Sequence, residues 1–323
     1  MFTTENQAGT LNVDCIVTGG AGFIGSNLVD ALVARGDRVA VIDSLITGKR
    51  ENLTDALAAG AQLWELDIRD SEAVERVFAK ARPETVFHMA AQIDVRRSIE
   101  DPAADAAVNV LGTINILHAA LHAGVARVVN TSTGGGLYGD AELLPTPEDH
   151  LITPLAPYGQ SKLAAEGYCE FFDRETELST VSLRYGNVYG PRQDVHGEAG
   201  VVAIFCGCLL DQRAPRIFGD GRQTRDWVEV ADVVRANMLA AGSTVTGPVN
   251  IASGRQTSVL DLVGLLAQLG VQRGLRLPEP EHLPARSGEV LRSCLSADRA
   301  RRVLGWHAQV PLAEGLRGIL DRL

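Results

Sequence analysis

The sequence has few cysteines, fewer basic than acidic residues and no long apolar run, and each of these features excludes a class of protein. Its 5 cysteines form no CxxC pair and its 7 histidines show no ligand spacing, so we expect neither a disulfide framework nor a metal site. With 30 Lys and Arg against 40 Asp and Glu, the formal net charge is −10, which disfavours binding to nucleic acid.

Membrane insertion and secretion are not predicted either. The longest apolar runs, such as GVVAIFCGCLL at 200–210, are shorter than the roughly 18 residues that span a bilayer. The first residues, MFTTENQAGTLNVD, contain neither the basic segment nor the apolar core of a signal peptide. We therefore expect a cytoplasmic protein that binds no membrane.

What the sequence does contain is a regular alternation of short apolar runs and longer helical patterns. The runs are typical of buried parallel strands, and the segments between them carry apolar residues at three- and four-residue spacing. Gly36 and Gly124 stand where helix-ending glycines are expected. The pattern predicts an α/β fold with a doubly wound parallel sheet of the Rossmann type. The predicted strands are DCIVTG (14–19), RVAVID (38–43), AQLWELD (61–67), TVFHMA (85–90) and RVVNTS (127–132).

The alternation stops after residue 185, which indicates a second, smaller lobe. Residues 186–227 are rich in Gly, Arg, Asp and Gln, whereas 228–252 again have the pattern of a helix followed by a buried strand. The sequence shows no flexible linker between the two parts. We predict a Rossmann domain over 1–185, to which 228–252 return, and a C-terminal substrate-binding lobe made of 186–227 and 253–323.

A glycine-rich turn follows the first predicted strand and precedes the first predicted helix. In TGGAGFIGSNL, the spacing Gly19-x-x-Gly22-x-x-Gly25 is that of a dinucleotide-binding turn. The first glycine permits a tight turn, the second lets a pyrophosphate approach the backbone, and the third allows close packing of helix and sheet. The helix N-terminus, with Phe23 and Ile24, would supply amide donors to the phosphates.

Asp43, at the end of the second predicted strand, favours NAD over NADP as the cofactor. A carboxylate here accepts hydrogen bonds from both ribose hydroxyls of NAD and repels the 2′-phosphate of NADP. Lys49 and Arg50 follow closely and could instead meet that phosphate, so NADP is the alternative. Asp67 and Ile68, after the third strand, are placed to flank the adenine.

A tyrosine and a lysine four residues apart form a candidate proton-transfer pair. In APYGQSK they are Tyr158 and Lys162, and residues with this spacing share one face of a helix. An ammonium group near the phenol would stabilise the phenolate and lower a pKa that starts near 10. The tyrosine could then act as base and acid near neutral pH. An ordinary surface pair is the alternative.

Together, these motifs resemble those of the extended short-chain dehydrogenases/reductases of the NAD-dependent epimerase/dehydratase family. The glycine turn, HMAAQ, the hydroxyls of Ser132 and Thr133 and the tyrosine–lysine pair follow one another in the family's order. Three later segments are most similar to nucleotide-sugar 4-epimerases, above all to the UDP-glucose 4-epimerases. These segments are RYGNVYGPRQ (184–193), IFGDGRQTRDWVEVADV (217–233) and GEVLRSCLSADRARRVLGW (288–306).

The resemblance implies a reaction and a role for each residue of the pair. In the family, bound NAD takes hydride from C4 of the sugar and returns it to the opposite face once the 4-keto sugar has turned. Tyr158 would be base and acid, with Lys162 as its electrostatic partner and as a donor to the nicotinamide ribose. Thr133 or Ser132 would be the hydroxyl relay. Two further cofactor-binding residues implied by the family are Ala90 and Ala91.

The second lobe would then bind the UDP group of the substrate. Arg225 and Arg292 resemble the family's phosphate-binding arginines, whose planar fork suits phosphate oxygens. A solvated surface charge is the alternative for each. Asn187 resembles an asparagine that contacts the pyrophosphate, and Phe218 resembles a position near the uracil. Glu289 would meet a ribose hydroxyl.

The family also implies a homodimer and a variable sugar pocket. Its dimer interface is often formed by two helices, here roughly 101–123 and 158–174. The resemblance makes UDP-glucose and UDP-galactose the first expectation for the substrate. The sequence does not give the shape of the sugar pocket, so other nucleotide sugars stay open. UDP-glucuronate, a UDP-N-acetylhexosamine or a specialised-metabolite sugar are the alternatives. The pocket would draw on Gln92, Arg96, Arg97, Tyr185 and residues 194–203.

The glycines of NTSTGGGLYG separate the possible reactions. Related 4,6-dehydratases carry Asp-Glu directly after their threonine and related decarboxylases a glutamate nearby, whereas this chain has Gly134, Gly135 and Gly136. This favours oxidation and reduction at C4 without elimination.

The position of the hydroxyl relay stays open. Counting back from Tyr158 by the family's spacing reaches Thr133, whereas counting back from LYG reaches Gly134. A non-catalytic NAD sensor, the remaining alternative, typically lacks the tyrosine.

Overall fold

The computed structural model describes residues 11–194, 200–285 and 290–322, and its largest element is a parallel sheet. Buried apolar runs form most of the strands of this sheet, while short strands of two or three residues occur in the second half of the chain. The strands are β1 (Cys15–Thr18), β2 (Val39–Asp43), β3 (Gln62–Glu65), β4 (Thr85–His88), β5 (Arg127–Thr133), β6 (Ser179–Tyr185), β7 (Asn187–Tyr189), β8 (Arg216–Phe218), β9 (Thr224–Arg225), β10 (Trp227–Glu229), β11 (Gly247–Ile251), β12 (Thr257–Ser258) and β13 (Glu281–Leu283).

Seven strands form the central sheet, in the order β11-β6-β5-β4-β1-β2-β3. All neighbouring pairs are parallel, and the chain moves outward from β1 first to one edge and then to the other. Every residue of β1 and β2 is buried, as expected for strands covered by helices on both faces. The arrangement is that of a doubly wound Rossmann sheet, which confirms the predicted fold class.

Helices connect most of the strands, and two of them end at the glycines that the sequence indicated. Gly36 follows the first helix with φ of +98°, and Gly124 follows the sixth with φ of +72°, a conformation that glycine adopts readily. The helices are α1 (Phe23–Arg35), α2 (Thr54–Ala58), α3 (Ser71–Ala81), α4 (Val95–Glu100), α5 (Pro102–Ala106), α6 (Gly112–Ala123), α7 (Gly134–Tyr138), α8 (Pro157–Glu175), α9 (Val201–Leu210), α10 (Val230–Ala241), α11 (Val259–Val271), α12 (Asp298–Leu304) and α13 (Leu312–Leu320).

Two apolar layers cover the faces of the sheet. Leu28 of α1, Val233 of α10 and Trp306 are fully buried in one layer. Phe78 of α3 and Ile116 of α6 are fully buried in the other. Each such side chain contributes about 1.5–3 kcal/mol through burial. Helix α12 and Trp306 come from the range that we assigned to the second lobe, but they pack on the layer that covers the sheet.

A third apolar cluster is distinct from the two layers on the sheet and lies mostly in the range that we assigned to the second lobe. It is built from α9, α11 and α13, with Phe205, Leu262 and Leu316 among its buried members. Short strand pairs surround it, namely β7 with β10, β8 with β13 and β9 with β12. Helix α10 then carries the chain back to β11 in the main sheet. The exact division into two domains stays a prediction.

The stretch from α5 to α6 is a continuous helix, because a π-helical turn at Ala107–Leu111 joins the two. By length and composition, Pro102–Ala123 is apolar enough to cross a membrane. However, 39% of its apolar window is buried inside the fold, and a core helix passes the same test. The absence of a membrane partner therefore stays a prediction.

Candidate active site at the carboxyl edge of the sheet

The glycine turn lies at the carboxyl end of β1, and parts of it leave no room for a side chain. Gly19 has φ of +67°, and a Cβ there would lie 2.6 Å from a backbone nitrogen of the HMAAQ segment. A Cβ on Gly25 would lie 2.2 Å from the Gly19 carbonyl oxygen. Helix α1 begins after Gly22, with Phe23 and Ile24, and has neither a side-chain cap nor an acidic residue in its first turn. This turn fits a pyrophosphate, which would meet the open helix N-terminus.

The HMAAQ segment leaves β4 beside the glycine turn. Thr18 Oγ1 accepts hydrogen bonds from the amides of Met89 at 3.1 Å and Ala90 at 3.2 Å. The same hydroxyl lies 2.7 Å from Nδ1 of His88, whose pKa burial lowers to about 3. His88 is therefore a neutral structural residue, while Ala90 and Ala91 are partly exposed where the cofactor was expected.

Asp43 lies buried at the end of β2, next to the same turn. Its Oδ2 accepts a hydrogen bond from the Ala21 amide and its Oδ1 accepts one from the Leu45 amide, both at 2.9 Å. Each carboxylate oxygen can accept another hydrogen bond, so Asp43 keeps the capacity to bind ribose hydroxyls. Lys49 and Arg50 are exposed.

The residues expected near the adenine differ in how they are held. The carboxylate of Asp67 pairs with Arg69 at 2.6 Å, and this interaction lowers the pKa of Asp67. Ile68 is buried, and a Cβ on Gly112 of α6 would lie 2.5 Å from its Cδ1. The carbonyl oxygen of Ile68 accepts a hydrogen bond from Asn115. Both residues are therefore held by neighbouring groups, and their contact with an adenine stays a prediction.

Tyr158 and Lys162 lie in the first turns of α8, on one face of the helix. The ammonium of Lys162 is buried and donates to the carbonyl oxygen of Thr131 at 3.0 Å. Burial lowers the pKa of Lys162 to about 8. Burial raises the pKa of Tyr158 to about 12, and hydrogen bonding with Thr133 offsets only part of this rise. The predicted lowering of the tyrosine pKa is therefore wrong for this structure, because the effect of burial outweighs the hydrogen bonding with Thr133.

The two candidate hydroxyls point to opposite faces of β5, as successive side chains of a strand do. A Cβ added to Gly136 would lie 3.3 Å from Oγ1 of Thr133 and 3.4 Å from Cε1 of Tyr158, so these two side chains share one small space. Ser132 is buried and donates to the carboxylate of Glu166. Ser132 is therefore engaged by Glu166, which favours Thr133 over Ser132 as the predicted hydroxyl relay.

Helix α7 contains the three glycines after Thr133, whose Oγ1 accepts a hydrogen bond from the Gly136 amide at 3.2 Å. A Cβ on Gly134 would lie 2.2 Å from Cδ1 of Leu295, and a Cβ on Gly136 would lie 2.9 Å from Cγ2 of Thr133. A Cβ on Gly135 would meet its nearest neighbour at 3.4 Å, an ordinary contact. Gly134, the alternative position for the hydroxyl, therefore faces Leu295 and not the tyrosine.

A buried ion pair behind β5 was missed by the sequence analysis. The side chains of Glu166 and Arg184 are each 3% exposed and lie 2.6 Å apart. Arg184 also donates to the Tyr138 hydroxyl at 2.8 Å, and that hydroxyl donates to Asn250 at 3.0 Å. Glu166 stands four residues after Lys162 on the same helix, and this spacing could have indicated it.

A second missed group lies where the π-helical turn meets the HMAAQ segment. Oδ1 of Asp105 accepts hydrogen bonds from Gln92 at 2.8 Å and from Asn109 at 3.0 Å. Gln92, which we expected in the sugar pocket, is therefore tied to the helix. Tyr185, another expected pocket residue, is buried and its hydroxyl bonds Asn237. Arg96 and Arg97 are exposed on α4.

The two arginines expected at the phosphates lie on adjoining segments of the second lobe. Arg225 ends β9, is partly exposed and donates to the carbonyl oxygen of Thr224 at 2.9 Å. Thr224 in turn forms an isolated parallel bridge with Arg292, which is exposed. The fold therefore brings together two backbone segments whose arginines are 67 residues apart in the chain.

The other predicted substrate contacts are distributed around these arginines. Asn187 begins β7, is partly exposed and donates its backbone N–H to the carbonyl oxygen of Asp226 at 2.7 Å. Phe218 ends β8 and is partly exposed. Glu289 lies outside the described residues, as do 195–199 of the loop that we expected at the sugar.

Comparison with known proteins gives a consistent result. The family model described as NAD dependent epimerase/dehydratase family matches residues 15–252. A UDP-glucose 4-epimerase of Mycolicibacterium smegmatis is 45% identical over 304 residues, covering 93% of this chain and 95% of that protein. A crystal structure of the Thermotoga maritima UDP-glucose 4-epimerase with UDP-glucose has 45% identity and a TM-score of 0.91, covering 95% and 97% of the two chains. The Thermus thermophilus enzyme in complex with NAD has 42% identity and a TM-score of 0.88, with the same coverage.

Proposed function

Because this chain belongs to the NAD dependent epimerase/dehydratase family, we propose that it is an NAD-dependent 4-epimerase that interconverts UDP-glucose and UDP-galactose. The observation that carries the proposal is the shared space of Thr133 and Tyr158 beside Lys162, followed by glycines instead of acids. This arrangement can move one proton to and from a hydroxyl, and Gly134–Gly136 offer no side chain for the second proton transfer that elimination requires.

The side chains of the site would handle the proton of the sugar 4-hydroxyl. Tyr158 accepts this proton directly or through Thr133 and later gives it back, acting first as base and then as acid. When bound, NAD supplies the oxidant that takes hydride from C4 of the sugar and, in its reduced form, the hydride that reduces the 4-keto group. Lys162 favours the phenolate only while it is protonated, and its pKa of about 8 keeps it mostly charged at neutral pH.

The cofactor and the nucleotide would occupy different parts of the molecule. The glycine turn and Asp43 provide phosphate and ribose contacts for NAD on the sheet side. Arg225 and Arg292 provide a pair of planar cations for the UDP phosphates in the second lobe. Asn187 and Phe218, which lie at strand ends of the same lobe, would contact the pyrophosphate and the uracil. The sugar would then be held between the two lobes, at Tyr158.

Product analysis of the purified protein with UDP-glucose tests the function. We expect UDP-galactose to form with NAD bound and without consumption of added NAD, as followed by proton NMR. Tyr158→Phe should abolish turnover and retain its NAD, measured by cofactor release on denaturation. The absence of a 4-epimer from a panel of UDP-sugars would contradict the proposal, and a product that has lost water would favour the dehydratase.

We further infer that the protein is a homodimer that works in the cytoplasm. Leu111, Tyr168 and Phe171 are large apolar or aromatic residues that are 58%, 41% and 48% exposed on the α5–α6 stretch and α8. An exposed apolar surface of this kind is typical of an interface. Phe171→Glu should yield monomers in light scattering, whereas Val271→Glu, at an exposed position on α11, should not.

The proposed cytoplasmic location is supported by the cysteines. All five are buried free thiols, which suits a reducing compartment.

A further inference from the structure

Helix α8, which carries the tyrosine–lysine pair, begins without a capping side chain of its own. Ala156 stands at its N-cap position, where serine, threonine or aspartate usually accepts a hydrogen bond from the first turn. Pro157 follows and has no N–H, so the first N–H group inside the helix is that of Tyr158. The backbone of the candidate base therefore requires an acceptor from elsewhere.

Ser98 of α4 supplies that acceptor. The Tyr158 N–H donates to Ser98 Oγ at 3.1 Å, although the two residues are 60 positions apart in the chain. Ser98 is fully buried, and its hydroxyl donates in turn to the carbonyl oxygen of Val95 at 2.6 Å. Because the hydroxyl proton is committed to α4, an oxygen lone pair is left for Tyr158. A side chain of one helix thus caps another.

Helix α4 is itself fixed to the HMAAQ segment, which leaves β4 beside the glycine turn. Asp94 caps α4 by accepting hydrogen bonds from the amides of Arg96 at 2.8 Å and Arg97 at 3.1 Å. The N–H of Asp94 donates to Oε1 of Gln92, the last residue of the segment, at 2.6 Å. Ser98 therefore connects the tyrosine to a short helix that is anchored at its start.

Contacts with α7 leave the first turn of α8 little tolerance for a shift. A Cβ on Gly159 would lie 2.2 Å from the Gly136 carbonyl oxygen, and the ring of Tyr158 shares with Thr133 the space next to Gly136. The turn is thus held by α4 at the tyrosine backbone and by α7 at its neighbour and its ring. Displacing a reacting group by about 1 Å can lower a rate by about 100-fold.

We propose that Ser98 is a positioning residue for proton transfer, whose hydroxyl fixes the Tyr158 backbone so that the phenol stays beside Thr133 and the sugar 4-hydroxyl. The kinetic consequence rests on the proposed epimerase function. The hydrogen bond between the two helices does not, because it belongs to the folded chain alone.

Ser98→Ala tests the proposal, because it removes the acceptor and leaves the rest of α4 in place. We expect kcat for UDP-glucose to fall roughly 10- to 100-fold, with KM within about twofold and NAD retained. The matched control is Thr180→Val, which removes another buried hydroxyl that bonds α8, donating to the carbonyl oxygen of Cys169 at 2.8 Å. Urea unfolding should show a comparable loss of stability in both variants, whereas kcat should be unchanged in the control.

Amide hydrogen exchange followed by mass spectrometry gives a second measurement, which needs no turnover. A peptide that covers Tyr158 should exchange faster in Ser98→Ala and at the unmodified rate in Thr180→Val. An equal fall of kcat in both variants, an unchanged kcat in Ser98→Ala, or an unchanged exchange rate at Tyr158 would overturn the proposal. If Ser98→Ala does not fold, Ser98→Cys, whose thiol is a weak acceptor, carries the same expectation. A protein that epimerises no UDP-sugar would contradict the proposed function, while the exchange at Tyr158 would still decide whether Ser98 holds the tyrosine.

Discussion

Replacing Thr133 by valine removes the hydroxyl beside Tyr158 and keeps the shape of the side chain. Replacing Ser132 by alanine removes the neighbouring hydroxyl, which donates to Glu166 on the other face of β5. Because the two hydroxyls have different partners, the first change should lower kcat and the second should lower stability. The pair of variants therefore separates chemistry from folding at adjacent positions.

The expected magnitudes follow from the partners of each hydroxyl. A hydrogen bond to a group that becomes charged contributes about 1.5–3 kcal/mol, which corresponds to a roughly 10- to 100-fold loss of kcat in Thr133→Val. The same variant loses the cap of α7, at about 1 kcal/mol of unfolding free energy. In Ser132→Ala, Glu166 keeps its contacts with Arg184, so we expect a loss of about 1–3 kcal/mol in unfolding free energy and kcat within a few-fold.

Two measurements on each variant are sufficient. Initial rates of UDP-galactose formation give kcat, and urea unfolding gives the free energy of unfolding. Thr133→Ser restores a hydroxyl at the same position and is the matched control, with kcat close to that of the unmodified enzyme. A larger kcat loss in Ser132→Ala than in Thr133→Val would refute the assignment of Thr133 and the face of β5 on which it rests.

Three further predictions concern packing, burial and substrate contact. A Cβ on Gly159 would lie 2.2 Å from the Gly136 carbonyl oxygen. Gly159→Ala should therefore displace α8 and lower kcat by more than tenfold while NAD is retained. The control Gly264→Ala, on an open face of α11, should leave kcat unchanged and raise the unfolding free energy by about 0.5–1 kcal/mol. The pKa of Lys162 is lowered from 10.5 to about 8 on folding, so its buried charge destabilises the fold fully below about pH 8 and progressively less as the pH rises to 10.5. Lys162→Met should therefore abolish turnover yet raise the unfolding free energy at pH 7 by up to about 3 kcal/mol. Urea unfolding against pH should show this gain decline above about pH 8 and vanish above 10.5. Arg292→Gln should raise KM for UDP-glucose by roughly tenfold or more with little change in kcat, and an unchanged KM would place the UDP phosphates elsewhere.

The sequence predicted the fold class because the relevant signals are local. Apolar runs and glycines at helix ends specify strands and helices within a few residues of themselves, and the strand–glycine–helix order then places the phosphate turn at the end of β1. The spacing of Tyr158 and Lys162 likewise predicted a common helix face, because that relation depends on α8 alone.

The features that the sequence did not predict depend on contacts between distant segments. The pKa of Tyr158 is raised by the surrounding protein, whereas the spacing with Lys162 suggested the opposite direction. Trp306 lies late in the chain and packs on the first layer, which no pattern in the sequence indicates.

The glycines of α7 connect packing with reaction type. On sequence grounds, Gly134–Gly136 disfavour dehydration because they lack the required acids. The structure adds that a side chain at Gly134 would overlap Leu295 and one at Gly136 would overlap Thr133, so neither position can gain an acid without repacking. Only Gly135 has ordinary room for a Cβ. A change of reaction from epimerisation to elimination would therefore have to begin at Gly135, or require compensating changes at Leu295. The same packing that brings Thr133 to Tyr158 thus limits the chemistry available beside them.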